Sequence, residues 1–245
     1  TLNGGKVSIL GTYGDDYYGK VLLEAFEKAN VDTKYMVKAP ERPTTVKTRI
    51  SGSCSQSVTQ QIVRIDRETK EWLSKQTEDK VCETIEKAIP EFDAVILSDY
   101  QLGTLTDRVI ETTVDVAKKH GKIVVADVQK DMFRYKGVTA MTPNQPDTEK
   151  FVGFFIKDEE TLKQAGEKLL DSTNSDLMLV TCFQQNGRFR CNRGWRYSRC
   201  NVYARLGSRL ITKTCCNYRQ SCSKHRNPLF RLCNNEYQGT YQNCG

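Results

Sequence analysis

Between residues 94 and 180, short apolar runs alternate with amphipathic stretches at a spacing that few architectures can accommodate. The runs at 94–97, 123–126, 138–141 and 177–180 are continuous enough for strands buried on both faces. Between them, 105–119 places Val109, Ile110, Val114 and Ala117 on one side of a helix that Gly121 stops, and 147–152 and 158–170 read as two more helices. Strands separated by helices in this way pair in parallel through right-handed crossovers. The fold class is therefore α/β, a mainly parallel sheet with helices on both faces. Ligands of such sheets gather beyond the carboxyl ends of the strands. The polar residues placed there are Asp99, Asp127 with Lys130, and Asn144 with Asp147. Each alone is an ordinary turn former or helix cap. On successive strands they set carboxylates, an amide and an ammonium around one mouth, which suits a metal-bound polyphosphate.

Upstream, an apolar run at 7–10 predicts a strand ended by Gly11. Gly14-Asp15-Asp16 then leads into 17–30, where Val21, Leu22, Ala25, Phe26 and Ala29 recur at helical spacing and either Asp15 or Asp16 can cap the helix. Residues 44–51 and 58–66 alternate apolar and polar side chains around a Gly/Ser-containing connection. That predicts a two-stranded flap, within about 40–68, with both faces polar enough to stand away from the core. Residues 78–89 form an amphipathic helix that Pro90 ends.

Charge divides the chain at Thr181. Residues 1–181 carry 25 Lys/Arg against 29 Asp/Glu, and residues 182–245 carry 12 against Glu236 alone, so the basic balance belongs to the tail. It gives no reason to expect nucleic acid as a partner of the body. No stretch approaches the about eighteen apolar residues of a membrane span, and no signal peptide opens the chain, so a cytoplasmic location is expected. The opening Thr1-Leu2-Asn3-Gly4-Gly5 leads the reading toward an N-terminally truncated fragment.

The segments GDDYYG at 14–19, RPTTVKTRI at 42–50, QQIVRIDRE at 60–68, ILSDYQLGTLT at 96–106, VADVQKDMFRYKG at 125–137, TPNQPDTEKFVG at 142–153 and DEETLKQAGEKLL at 158–170 occur in this order. Together they resemble the ribokinase-like (PfkB) carbohydrate kinases, and among these most the heptose-7-phosphate kinase domain of bifunctional heptose kinase/adenylyltransferases. The resemblance runs through essentially all of 5–181. It implies a ribokinase-like three-layer α/β/α sandwich with a small β flap, truncated at both ends in this chain. It also implies transfer of the γ-phosphoryl group of ATP, with Mg2+, to a sugar-phosphate hydroxyl. The implied acceptor is D-glycero-D-manno-heptose 7-phosphate, on the way to ADP-heptose and the lipopolysaccharide core.

By the same resemblance, Asn144, Gln145, Pro146 and Asp147, with Asp127 and Lys130, lie at ATP, and Asp147 organises the metal and its waters. Gly14, Asp15, Lys47, Arg49 and Asp99 are implied at the sugar phosphate, although Lys47 and Arg49 equally fit a solvated strand face. Asp147 stands where the family pattern has Glu, one methylene longer, and Val128-Gln129 replaces the usual Pro spacing before Lys130. Arg64 and Asp66 are expected to pair within the flap, and a homodimer through the flap is expected as well. The Gly-Ala-Gly-Asp turn, whose amides hold the transferring phosphate and whose Asp is the general base, does not occur in this sequence. No catalytic residue is therefore assigned, and the polypeptide is expected to lack kinase activity.

Residues 182–245 hold eight of the ten cysteines and keep neither a 2- nor a 3.6-residue period for long, which predicts a poorly ordered segment. A slip of reading frame near codon 182 accounts for it. Read one nucleotide on, codons for Asn186-Gly187-Arg188-Phe189 can encode Met-Ala-Val-Phe, and those for Gly207-Ser208-Arg209 can encode Gly-Ala-Gly, near the family's spacing. The rival is a genuine basic binding module. Cys191, Cys200, Cys215, Cys216, Cys222, Cys233 and Cys244 with His225 would bind zinc, or the arginines with Tyr197, Tyr203 and Tyr218 would bind nucleic acid.

Overall fold

The computed structural model describes residues 4–52, 60–183, 198–206 and 209–215, with backbone alone from Cys182 onward. The side chains named for zinc and nucleic acid lie outside the described residues.

Among the described residues, ten strands and five α-helices follow in the order β1 (Thr12–Tyr13), α1 (Tyr17–Lys28), β2 (Val37–Lys38), β3 (Val46–Gly52), β4 (Gln60–Arg67), α2 (Lys75–Ala88), β5 (Ala94–Asp99), α3 (Asp107–Lys119), β6 (Ile123–Val128), β7 (Ala140–Met141), α4 (Gln145–Val152), α5 (Glu159–Thr173), β8 (Leu177–Phe183), β9 (Ser198–Leu206) and β10 (Arg209–Cys215). The main sheet runs β10-β9-β8-β7-β6-β5, and β5 to β8 are parallel neighbours, as the alternation from residue 94 onward requires. β1 pairs with β2 in a small parallel sheet, and β3 pairs with β4 in the detached flap.

Local chemistry fixes the helix starts. Thr106 accepts from the Val109 amide at the start of α3, and Asp158 forms a capping box with Thr161 at the start of α5. Ser74 caps α2, so that helix begins three residues earlier than the apolar period alone indicates. The face predicted for α3 is buried as expected: Val109, Ile110, Val114 and Ala117 are at most 4% exposed. They join Val81, Cys82 and Ile85 of α2 in a cluster that includes Leu97, Val124, Ala126 and Val128 of the sheet. Leu162, Ala165, Leu169 and Leu170 of α5 belong to the same cluster, with Met178 and Val180 of β8.

Three expectations change. The run at 7–10 is not a strand: Ser8 makes one bridge to Asp32, flanked by hydrogen bonds of Val7 and Ile9 to that same residue, and ladder pairing begins at Thr12. The run at 94–97 is buried on one face only, with Ile96 73% exposed on the other. Apolar composition does not report whether a second layer covers a strand. In the tail, β9 and β10 form an antiparallel hairpin that continues the main sheet from β8, where the sequence reading assigned no regular element. The signal for it was short: Val202, Ala204 and Leu206 alternate with polar residues, and Gly207-Ser208 is a favoured two-residue hairpin connection. Among the described residues, no helix is long and apolar enough to cross a membrane.

Candidate active site

The corner after β7 carries the most organised polar cluster at the carboxyl ends of the parallel strands. Thr142 donates its amide to the Ala126 carbonyl at 3.1 Å and its hydroxyl to Asp127 Oδ1 at 3.1 Å, tying β6 to the turn. Asn144 bridges to Thr181 of β8, whose amide donates to the Pro143 carbonyl at 3.0 Å. Its side chain caps α4: Oδ1 accepts from the Asp147 amide at 2.9 Å, and Nδ2 donates to Asp147 Oδ2 at 2.6 Å. Pro146 falls in the first turn, where its missing N–H costs nothing, and Gly153 ends the helix at φ 80°. One threonine thus ties Asp127 to the turn that leads into the Asn144–Asp147 cap. Gln145 instead turns to the protein, donating to Glu149 Oε1 at 2.9 Å and to the Ile156 carbonyl at 3.1 Å. Lys130 is exposed in the loop after β6.

Asp99, at the end of β5, is buried and occupied by protein donors. Oδ1 accepts from the Gln101 amide at 2.6 Å, and Oδ2 accepts from the Tyr135 hydroxyl, with Arg134 Nη1 at 3.7 Å. Burial and this carboxylate push the Tyr135 phenol well above its usual range. Arg134 also reaches Asp107 and the Leu105 carbonyl and stacks 4.8 Å from the Trp72 ring centroid. Asp99 therefore anchors the turn carrying Met132–Tyr135, downstream of Lys130. Sequence could not supply this partner, because Tyr135 lies 36 residues away.

On the flap, Lys47 and Arg49 share a face with Asp66 and Arg64, their cross-strand partners. Lys47 Nζ lies 2.6 Å from Glu68 and 3.5 Å from Asp66, and these partners raise its pKa. Arg64 Nε lies 3.1 Å from Asp66 Oδ1, the pairing expected of them. Arg49 is exposed opposite Arg64. The other face corrects the expectation of two polar faces. Thr48 and Ile50 stand opposite Ile65 and Val63, so strict alternation collects the β-branched side chains together, with Ile50 45% and Ile65 56% exposed.

Gly14 and Asp15 sit at the flap root without sharing a direction. Gly14 is buried, donates its amide to Thr44 Oγ1 at 2.9 Å, and approaches so closely that a Cβ would lie 2.5 Å from the Arg42 carbonyl oxygen. Asp15 is exposed and pairs with Lys38 at 2.8 Å. The capping residue of α1 is Asp16, which the sequence left undecided against its neighbour.

The donor set fits a magnesium-bound phosphate chain. Asp127 and Asp147 are hard oxygen donors, and no group of three or more His, Cys, Asp or Glu among the described residues could enclose a metal. A magnesium ion held through one or two carboxylates takes the rest of its shell from phosphates and water.

The fold agrees with what the chain resembles. It belongs to the pfkB family of carbohydrate kinases, whose family model matches residues 2–183. The bifunctional protein HldE of a Nitratiruptor species is 37% identical over 182 residues, covering 74% of this chain and 37% of that protein. HldE of Trichlorobacter lovleyi is 34% identical over 192 residues, covering 78% of this chain and 38% of that protein. The chain thus spans under two-fifths of these relatives. Among solved structures, phosphofructokinase-2 of Escherichia coli in complex with fructose-6-phosphate has a TM-score of 0.60 at 14% identity, covering 86% of this chain and 63% of that one. Arabidopsis thaliana ribokinase complexed with ribose and ATP gives 0.55 at 18%, covering 85% and 61%. At such identities these two show the fold alone.

Proposed function

We propose that the chain carries the nucleotide corner and flap of a cytoplasmic kinase that moves the γ-phosphoryl group of ATP, with Mg2+, to a hydroxyl of a heptose 7-phosphate. The observation that carries this reading is the cluster at the ends of β6 and β7, where Thr142 joins Asp127 to the turn of Asn144 and Asp147. Asn144 orients Asp147, Asp147 with Asp127 offers oxygen donors to the metal, and Lys130 adds a cation. Lys47 and Arg49 supply flap cations to the sugar phosphate, Lys47 exchanging its carboxylate partners for it. The apolar flap face receives the same face of a second copy as a homodimer contact. The acceptor is assigned from the ordered segments shared with heptose-phosphate kinases.

The same reading makes this polypeptide inactive, because the chain contains no Gly-Ala-Gly-Asp turn. It also treats residues 182–245 as out of frame, in keeping with a family match that ends at residue 183. Sequencing the gene across codon 182 checks the frame, and a one-base correction that restores no kinase-like continuation sinks it. Calorimetric titration tests the site: ATP binds in the presence of Mg2+, and Asp147→Asn weakens that binding about tenfold, the scale of a charge-assisted contact. Magnesium-independent binding, or an unaffected variant, would remove the assignment. Heptose 7-phosphate binds in preference to fructose 6-phosphate, and the reverse order changes the acceptor. ATP-dependent turnover of heptose 7-phosphate at ordinary enzyme rates would refute inactivity.

A further inference from the structure

The GDDYYG segment is prominent in the sequence, yet neither the nucleotide corner nor the sugar contacts explain its second acid. In the structure the Asp16 carboxylate faces three ways. Oδ1 accepts from the Gly19 amide at 2.9 Å, capping α1. Oδ2 accepts from the Thr44 amide at 3.0 Å, just before β3, and lies 3.9 Å from Arg67 Nη2, the last residue of β4. Both flap strands are thus held by one carboxylate where they leave the body. Two neighbours reinforce the junction. The Arg67 guanidinium sits 5.8 Å from the ring centroid of Tyr18, on the first turn of α1. Thr44, 5% exposed, accepts from the Gly14 amide. A side chain on Gly19 would press its Cβ to 2.6 Å from the Gly14 carbonyl oxygen and 3.2 Å from Thr44 Oγ1, so the helix turn and flap root are in direct contact.

We propose that Asp16 is a positioning residue: its carboxylate clamps the roots of β3 and β4 against the first turn of α1 and so fixes the direction in which the flap presents Lys47 and Arg49. The importance of that direction rests on the sugar-phosphate reading, but the clamp itself does not. Among the described residues no large apolar contact holds the flap: Ile50, Ile62, Val63 and Ile65 are all more than 40% exposed. Orientation therefore depends on the root. The Thr44 hydroxyl and amide beside it hold the Asp16 carboxyl below the usual carboxylate range, so the group is charged wherever the clamp operates. Asp15, one residue earlier, pairs with Lys38 and makes none of these contacts.

Cap and clamp can be separated chemically. Asp16→Asn retains an oxygen for the Gly19 amide, since Asn caps helices as well as Asp does, but turns an N–H donor toward the Thr44 amide. Hydrogen exchange on the full chain without ligands reads the result independently of any kinase activity. Amides of Val46–Gly52 and Gln60–Arg67 should exchange about tenfold faster in Asp16→Asn, the scale of a lost hydrogen bond to a charged group. Those of α1, α2 and α3 should keep their rates, and the cap variant Asp158→Asn at α5 should leave the flap unchanged. Thr44→Val, which keeps Asp16 but removes the acceptor of the Gly14 amide, should give the same pattern more weakly and serves if Asp16→Asn fails to fold. Unchanged flap exchange in the variants, equal acceleration of flap and helices, or unprotected flap amides in the unaltered protein would each overturn the clamp.

Discussion

Among the described residues, the chain from Leu73 to Val180 supplies every member of the buried apolar cluster except one, and the region before Leu73 supplies Val37 alone. The earlier region is nonetheless ordered around specific polar ties. Lys34 and Tyr35 meet Glu91 at 3.0 and 2.8 Å, Arg42 reaches the Leu102 carbonyl, and Asp16 and Thr44 hold the flap root. Even α1, amphipathic in sequence, leaves Val21 40% exposed and buries only Gly19. One region is held by area removed from water, which is non-directional. The other is held by hydrogen bonds and ion pairs, which fix direction but contribute less stability. A flap proposed to present cations at a defined angle belongs in the second kind.

The comparison breaks most visibly in the core. Leu169→Ala, at a fully buried position, should cost about 3 kcal/mol in urea unfolding, whereas Val21→Ala should stay within about 0.5 kcal/mol. Similar costs at the two positions would abolish the distinction. Acid should separate the regions next. Within residues 4–67, Asp16, Asp32 and Glu41 have lowered pKa values, Asp16 and Asp32 from their Thr44 and Lys34 partners and Glu41 from hydrogen bonds that outweigh its burial, whereas 73–180 has Asp158 at the α5 cap and Glu91, which is held by Tyr35 and Lys34 of the earlier region. A lowered value means that the unfolded chain binds protons first. The stabilisation is complete above the ordinary values of 3.8 for Asp and 4.5 for Glu and is withdrawn as pH falls through the shifted ones. Exchange followed on acidification should show residues 4–67 loosening before 73–180, and the opposite order would contradict the division. The smallest effect on stability is on the flap face: Ile65→Asp should move unfolding by no more than about 0.5 kcal/mol. It should still convert the proposed homodimer to monomer in sedimentation, and an unchanged dimer would place the contact elsewhere.

The body was legible because burial leaves a period. Val109, Ile110, Val114 and Ala117 announce a helix face whatever it packs on, and polar residues after each apolar run mark the mouth of a parallel sheet. The polar ties left no such trace. Which of Asp15 and Asp16 caps α1 depends on where the first turn begins, a difference of one residue that composition does not resolve. Asp99 was found by its place after β5, but its occupation by Tyr135 and Arg134 is a tertiary fact with no periodic signature. The two faces of the flap depended on register: pairing Ile50 with Val63 and Thr48 with Ile65 collects the apolar side chains on one side.

The strand at the margin of the main sheet has a consequence for how the protein behaves in bulk. Among the described residues, β5 pairs only with β6, and Ile96 projects from it 73% exposed. A parallel edge with free backbone groups and an apolar side chain is a template for another extended chain. Crowding two copies together would give that edge a partner of its own composition, so Ala94–Asp99 is where association is expected to start as concentration rises.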